Sequence, residues 1–204
     1  MNELNNMRLS VLSLGHKILK EKCESIHPDY PNLNQLILDL WETMQNANGC
    51  GLAAPQVGHS IRLFIVDSKS AYENLDESER QEYFEAGDKG IVETFINAQI
   101  TERSERRWDD DEGCLSVPTL YQSVRRPWTI TIEYLTSDFN KQAKTYSGTT
   151  ARMIQHEYDH TEGILYLDHL KPLTKKLLGS KLKRIMKGQI KAKYPMQFVK
   201  EGAR

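Results

Sequence analysis

The segment that most constrains this chain is His156-Glu157-Tyr158-Asp159-His160, because two histidines four residues apart reach a common point only when the backbone between them is helical. At about 3.6 residues per turn both imidazoles fall on one face, and Glu157 is carried towards the same region without competing as a ligand. Residues 150–160 favour a helix, with Gly163 behind them as a C-terminal stop. Two readings follow from the pentapeptide alone. Either the imidazoles hold one metal ion with Glu157 as a nearby base, or they are ordinary helix histidines with Glu157 and Asp159 on a solvated side.

The rest of the pattern alternates between helix and strand. Leu33, Leu36, Ile37, Leu40, Trp41 and Met44 recur with helical spacing, with Asn32 as N-cap and Asn48-Gly49 as the stop. Residues 61–66 read as a buried strand and residues 94–100 as another. Residues 128–134 alternate, with Ile130, Ile132 and Tyr134 on one face and Thr129, Thr131 and Glu133 on the other. A final helix opens near Pro172 and carries Leu178, Leu182, Ile185, Met186 and Ile190 on one side. No internal repeat or long linker divides the chain. The expectation is a single α+β domain over 1–204, with antiparallel and mixed strands around the H-E-x-x-H helix and a C-terminal helix.

Charge is unevenly spread although the formal net charge is only -1. Residues 67–93 hold nine acids against Lys69, Arg80 and Lys89, which predicts a solvated surface insertion, partly helical around 78–85. Residues 171–204 hold eleven Lys or Arg against the single acid Glu201. With 204 residues, 39% of them hydrophobic and 27% charged, the composition excludes disorder throughout, collagen and coiled coil. Three widely spaced cysteines, Cys23, Cys50 and Cys114, suit a reducing compartment better than a disulfide framework. The polar N-terminus 1–6 is no secretory leader, and no segment approaches the ~20 apolar residues of a membrane span. A cytoplasmic protein is expected, with neither membrane nor DNA as partner.

A catalytic metal site needs a third protein ligand and an open position. The downstream sequence does not match familiar peptidases. The register for a third histidine six residues on is occupied by Tyr166, His169 is out of step, and no acid lies between Asp168 and Glu201. Upstream, Glu112-Gly113-Cys114-Leu115-Ser116 offers a thiol that can approach a helix closely, although a buried inert cysteine fits the same residues. Gly49-Cys50-Gly51-Leu52-Ala53-Ala54-Pro55-Gln56 leaves a bare backbone and ends in a carboxamide donor, or is simply a tight connection from helix to strand.

In this order, G-x-G-L-A-A-P-Q, E-G-C-L-S and Q-H-E-x-D-H resemble the three signature motifs of the peptide deformylases, over most of the chain. The resemblance implies Cys114, His156 and His160 as metal ligands, Glu157 as general base and acid, and Gln56 with the backbone N–H of Leu115 as oxyanion stabilisers. It places Gly51, Cys50, Glu112 and Gly113 against the substrate. It also implies one divalent ion per chain, Fe(II) physiologically, with zinc, nickel or cobalt able to occupy the site. The activity implied is removal of the formyl group from the N-terminal formylmethionine of nascent bacterial polypeptides, releasing formate. Competing readings are a zinc-dependent peptidase of another type and a catalytically silent peptide-binding protein with the same fold.

The chain departs from the family pattern at Cys50, Thr149-Thr150 and Thr161, which bear on the pocket for the methionine side chain. Asp159 is a candidate partner for Arg126 behind the ligands, or an exposed helix carboxylate. The basic C-terminal segment, with Lys175, Lys176, Lys181, Lys183, Arg184, Lys187, Lys191 and Lys193 about its apolar stripe, presents either a ridge for ribosomal RNA or a solvated face.

Overall fold

After a short N-terminal strand β1 (Val11–Leu12), the apolar stripe of Leu33, Leu36, Ile37, Leu40 and Met44 winds into helix α1 (Leu33–Asn46), and all five side chains are buried. The computed structural model describes residues 7–199; the polar stretch 1–6 and residues 200–204, with which the basic segment ends, lie outside them. Asn32 stands at the helix start as the sequence predicts, but at φ 56° and without a side-chain cap. Asparagine tolerates that left-handed geometry better than most residues, so the position turns the chain instead of capping it.

The first motif continues as β2 (Gly51–Ala53), followed by β3 (Leu63–Asp67). β3 reads as an unbroken apolar run because both of its faces are covered. Leu63 and Ile65 enter the core built with α1, while Phe64 and Val66 enter a second core on the opposite side. The acidic stretch then forms two short helices, α2 (Ser68–Asn74) and α3 (Glu77–Tyr83), each capped by an aspartate whose side chain accepts a backbone N–H: Asp67 from Ser70 and Asp76 from Glu79. α2 is one helix more than the sequence predicts.

Next come β4 (Val92–Arg103), a hairpin of β5 (Arg107–Cys114) and β6 (Val117–Pro127), then β7 (Thr129–Leu135) and β8 (Lys141–Ser147). Strands β2-β3-β4-β7-β8 form one antiparallel sheet in that order, and β5-β6 form a separate antiparallel pair. The alternation in β7 holds: Ile130, Ile132 and Tyr134 are buried and Glu133 is exposed. β5 has no apolar alternation, since it reads Arg-Trp-Asp-Asp-Asp-Glu-Gly-Cys.

The metal-motif helix α4 (Gly148–Thr161) lies on the second core, to which it contributes Ala151 and Ile154 beneath the stacked rings of Phe64 and Phe95. Its N-terminus is held by the acidic stretch. Thr150 Oγ1 bonds Ser68 Oγ at 3.0 Å and donates to Asp88 at 2.9 Å, the Trp128 indole donates to Glu85, and Phe84 is buried. Gly148 is at φ 57° with the Tyr83 carbonyl lying where a side chain would begin, so only glycine fits. Residues 67–93 are therefore packed on the helix start through specific contacts, Asp88 and Glu85 among them, although most of their acids are exposed.

Helix α5 (Pro172–Met186) buries Ile185 fully and Leu178 and Leu182 partly, in a third core with Cys114, Val117, Leu120, Tyr166 and Leu167. Met186 is exposed, and Ile190 packs from beyond the helix. The chain then returns as β9 (Met196–Gln197), parallel to β1. No helix among the described residues is long and apolar enough to cross a membrane.

Candidate metal centre and substrate cleft

α4 presents His156 and His160 one turn apart, their ring centroids separated by 5.2 Å, towards Cys114 at the end of β5. The Cys114 sulfur and one nitrogen from each imidazole all lie within 4.8 Å of one another, and Cys114 Sγ is 3.3 Å from His160 Nε2. Among the described residues this is the group of His, Cys, Asp or Glu that can hold a metal ion.

The orientation of His156 comes from a buried carboxylate. Its Nδ1 lies 2.9 Å from Glu112 Oε2, which can only accept, so Nδ1 carries the proton and Nε2 is left for the cluster. The ring of Tyr166 stacks behind it at 6.0 Å, fixed by a hydrogen bond from its hydroxyl to the Leu120 carbonyl. Glu112 also accepts from Arg126 Nε and Nη2 at 2.5 and 2.9 Å and from Arg152 Nη1 at 2.7 Å. Arg126 continues to Asp159 at 2.8 Å, and Asp159 lies 2.7 Å from His169 Nε2. Burial would raise the Glu112 carboxyl, but the hydrogen bonds from His156 and Arg126 overcome it and hold the group well below the usual carboxylate range.

These contacts answer several sequence expectations. Asp159 pairs with Arg126. Glu112, expected against the substrate, lies in the cleft lining and commits both carboxylate oxygens to protein partners, His156 among them. Arg152 was not anticipated, although it lies four residues before His156 on the same helical face.

The remaining residues converge on a cleft of about 780 Å³ lined by Cys50, Gly51, Gln56, Gly113, Leu115 and Glu157 together with two of the ligand candidates, Cys114 and His156; the third, His160, is buried beside them. Glu157 is 5% exposed, and its Oε2 has no hydrogen-bond partner. Burial pushes its carboxyl up to about 7, with His156 opposing and Glu112 adding to the rise. Gly51 is where Glu157 crosses the edge strand β2. A methyl group there would come within 2.5 Å of Oε1, so the missing side chain makes room for the carboxylate. Gln56 is buried in a tight turn after β2; its Oε1 accepts from Ala53 N–H at 2.8 Å, which aims Nε2 at Cys114 Sγ (3.5 Å) and Ser116 Oγ (3.3 Å). Gly113 lies under the exposed ring of Tyr121. Of the departures from the motif pattern, Cys50 and Thr149 line the cleft, whereas Thr150 is committed to Ser68 and Asp88 and Thr161 to the Tyr158 carbonyl.

The donor set suits a divalent cation. Burial opposes charge on His156, yet Cys114 and Glu112 hold its basicity well above the ordinary imidazole range, while burial and His156 push His160 well below it. A sulfur and two imidazole nitrogens, an unpartnered buried carboxylate and an adjoining cleft define a metal-dependent hydrolase.

The chain belongs to the polypeptide deformylase family, whose model matches residues 8–176. It is 45% identical over 194 residues to a peptide deformylase of Christiangramia forsetii, covering 94% of this chain and 96% of that one. A peptide deformylase of Flavobacterium psychrophilum is 44% identical over 193 residues, covering 95% and 98%. The solved structure of peptide deformylase from Ehrlichia chaffeensis superposes with a TM-score of 0.76 at 29% identity, over 90% of this chain and 99% of the other. The chain is a metal-dependent deformylase.

If Glu112 orients His156, Glu112→Gln is expected to weaken metal affinity about 10- to 100-fold, read by chelator competition. The same variant leaves Arg126 and Arg152 without their anion and is expected to lose about 3–5 kcal/mol of unfolding free energy in urea. Metal affinity within twofold of wild type would separate Glu112 from the metal centre.

Proposed function

We propose that this chain removes the formyl group from the N-terminal formylmethionine of nascent bacterial polypeptides, in the cytoplasm, and that Cys114, His156 and His160 hold its metal, physiologically Fe(II), with zinc, nickel or cobalt as substitutes. The observation that carries this reading is the convergence of those three donors beside a buried glutamate with a free oxygen, at the floor of a cleft wide enough for a peptide terminus. A divalent cation held there supplies the acidity that makes water a nucleophile near neutral pH and the polarisation of the formyl carbonyl.

The chain's own residues do the rest. Glu157, whose free oxygen needs a partner, takes the proton from the attacking water and returns it to the departing α-amine as the C–N bond breaks. Negative charge develops on the former formyl oxygen, where Gln56 Nε2 and Leu115 N–H donate. Gln56 is ready for this because its oxygen is already tied to Ala53, so only its amide hydrogens face the site. Gly51 has a double part: its bare Cα admits the Glu157 carboxylate, and its backbone is open to the substrate chain alongside Cys50 and Gly113. The whole chain works as one domain, with 67–93 steadying the start of α4, Leu178, Leu182, Ile185 and Ile190 closing the third core, and residues 191–194 walling the cleft.

Formate release from formyl-Met-Ala-Ser by the metal-loaded protein, measured anaerobically, tests the activity. Glu157→Ala is expected to keep its metal and lose about 100-fold or more in kcat. More than a tenth of wild-type kcat in that variant would remove Glu157 from the proton-transfer role, and cleavage of internal peptide bonds without formate would replace the deformylase reading.

The basic C-terminal segment is proposed to contact the ribosome surface. Lys176, Lys183, Arg184 and Lys187 are exposed on α5 and its end, Arg184 donating to the Gln189 carbonyl, and Lys175 and Lys181 donate to the backbone carbonyls of Asp168 and Thr119. Replacing Lys183, Arg184 and Lys187 with Glu is expected to weaken co-sedimentation with ribosomes at low salt and leave tripeptide deformylation intact. Unchanged sedimentation would return this face to a solvated role.

A further inference from the structure

The two-residue turn Leu115-Ser116 joins β5 to β6 directly after the ligand Cys114, and both of its carbonyls are tied to the ends of the chain. The Tyr194 hydroxyl donates to the Leu115 carbonyl at 2.8 Å, and Leu14 N–H donates to the Ser116 carbonyl at 2.8 Å. The two ties brace each other. Val11 N–H donates to the Pro195 carbonyl at 3.0 Å and Ser13 N–H to the Gln197 carbonyl at 2.9 Å, within the parallel pairing of β1 and β9. Tyr194 is partly buried, and residues 191–194 form a wall of the cleft that holds Glu157 and Gln56. Tyr194 lies beyond residues 8–176, the extent of the family match.

A hairpin turn of two residues has little else to fix its peptide planes. Its own side chains do not suffice: Ser116 Oγ is engaged by Gln56, and Leu115 packs beside the first core. We propose that Tyr194 is a positioning residue that locks the Leu115 backbone, and through it the oxyanion donors, in the geometry that deformylation requires. This rests on the reading in which Leu115 N–H and Gln56 receive the developing charge. Donors that act on a transition state must be held to a fraction of an ångström, and the loss of a single restraint is felt more in turnover than in substrate binding. The hydrogen bond of the Tyr194 hydroxyl is to backbone and not to a ligand side chain, so its removal is expected to leave the metal donors in place.

Tyr194→Phe removes the hydroxyl while keeping the ring in the wall. With formyl-Met-Ala-Ser and metal-loaded protein, kcat is expected to fall about 5- to 20-fold while KM stays within about twofold and metal content is unchanged. Amide hydrogen exchange in residues 114–117, measured on the metal-free protein, is expected to rise at least about tenfold. Slower turnover with faster local exchange supports the proposal. Wild-type kcat in the variant overturns it, whether or not exchange changes, since the tie then has no bearing on the reaction. A fall in thermal stability with wild-type kcat and exchange also overturns it, by assigning Tyr194 to packing alone. A wild-type chain that releases no formate would instead remove the deformylase reading on which the proposal rests.

Discussion

The buried carboxylate of Glu112 is the contact on which the site depends. It gathers two guanidinium groups and an imidazole in a region nearly closed to water, joining β5, β6 and α4 at one point. An ion there without partners would be prohibitive to bury, and each of these groups is tolerable only because the others are present. The arrangement gains little net stability over an apolar core of the same volume. What it confers is direction: His156 must present Nε2, and the hairpin carrying Cys114 must sit against the helix carrying the histidines.

Two apolar cores on opposite faces of the sheet set the level at which this happens. β3 supplies side chains to both, α1 packs on one face and α4 on the other, so the edge strand β2 passes directly across the catalytic helix. That crossing is close enough that Gly51 and Glu157 share one volume. The short motif at residues 49–56 is thus a packing requirement of the fold as much as a substrate surface. The acidic stretch contributes at the other end of α4, where Thr150, Ser68 and Asp88 close a small polar cluster around the helix start.

Much of this was legible in the sequence because each feature had a local signature. The periodicity of α1, the alternation of β7 and the i, i+4 histidines each determine a face directly, and three short motifs in order carry the resemblance to the family. What stayed hidden depends on contacts distant in sequence. β5 carries four consecutive acids and no apolar rhythm, and it is a strand because Glu112 finds Arg126 and Arg152 across the hairpin and helix. For the same reason the motif alone does not show that Glu112, besides lining the cleft, supports His156. Tyr194 follows a basic stretch with no motif at all, and only the pairing of β9 with β1 brings its hydroxyl to Leu115.

The central claim is that one sulfur and two imidazole nitrogens hold the metal, with the fourth position left open for chemistry. X-ray absorption at the metal edge of the zinc-loaded wild-type protein reads that directly. The account predicts one sulfur and two nitrogen scatterers from histidine, completed by a light atom from solvent. A first shell without sulfur, or with carboxylate oxygens in place of an imidazole, would contradict it.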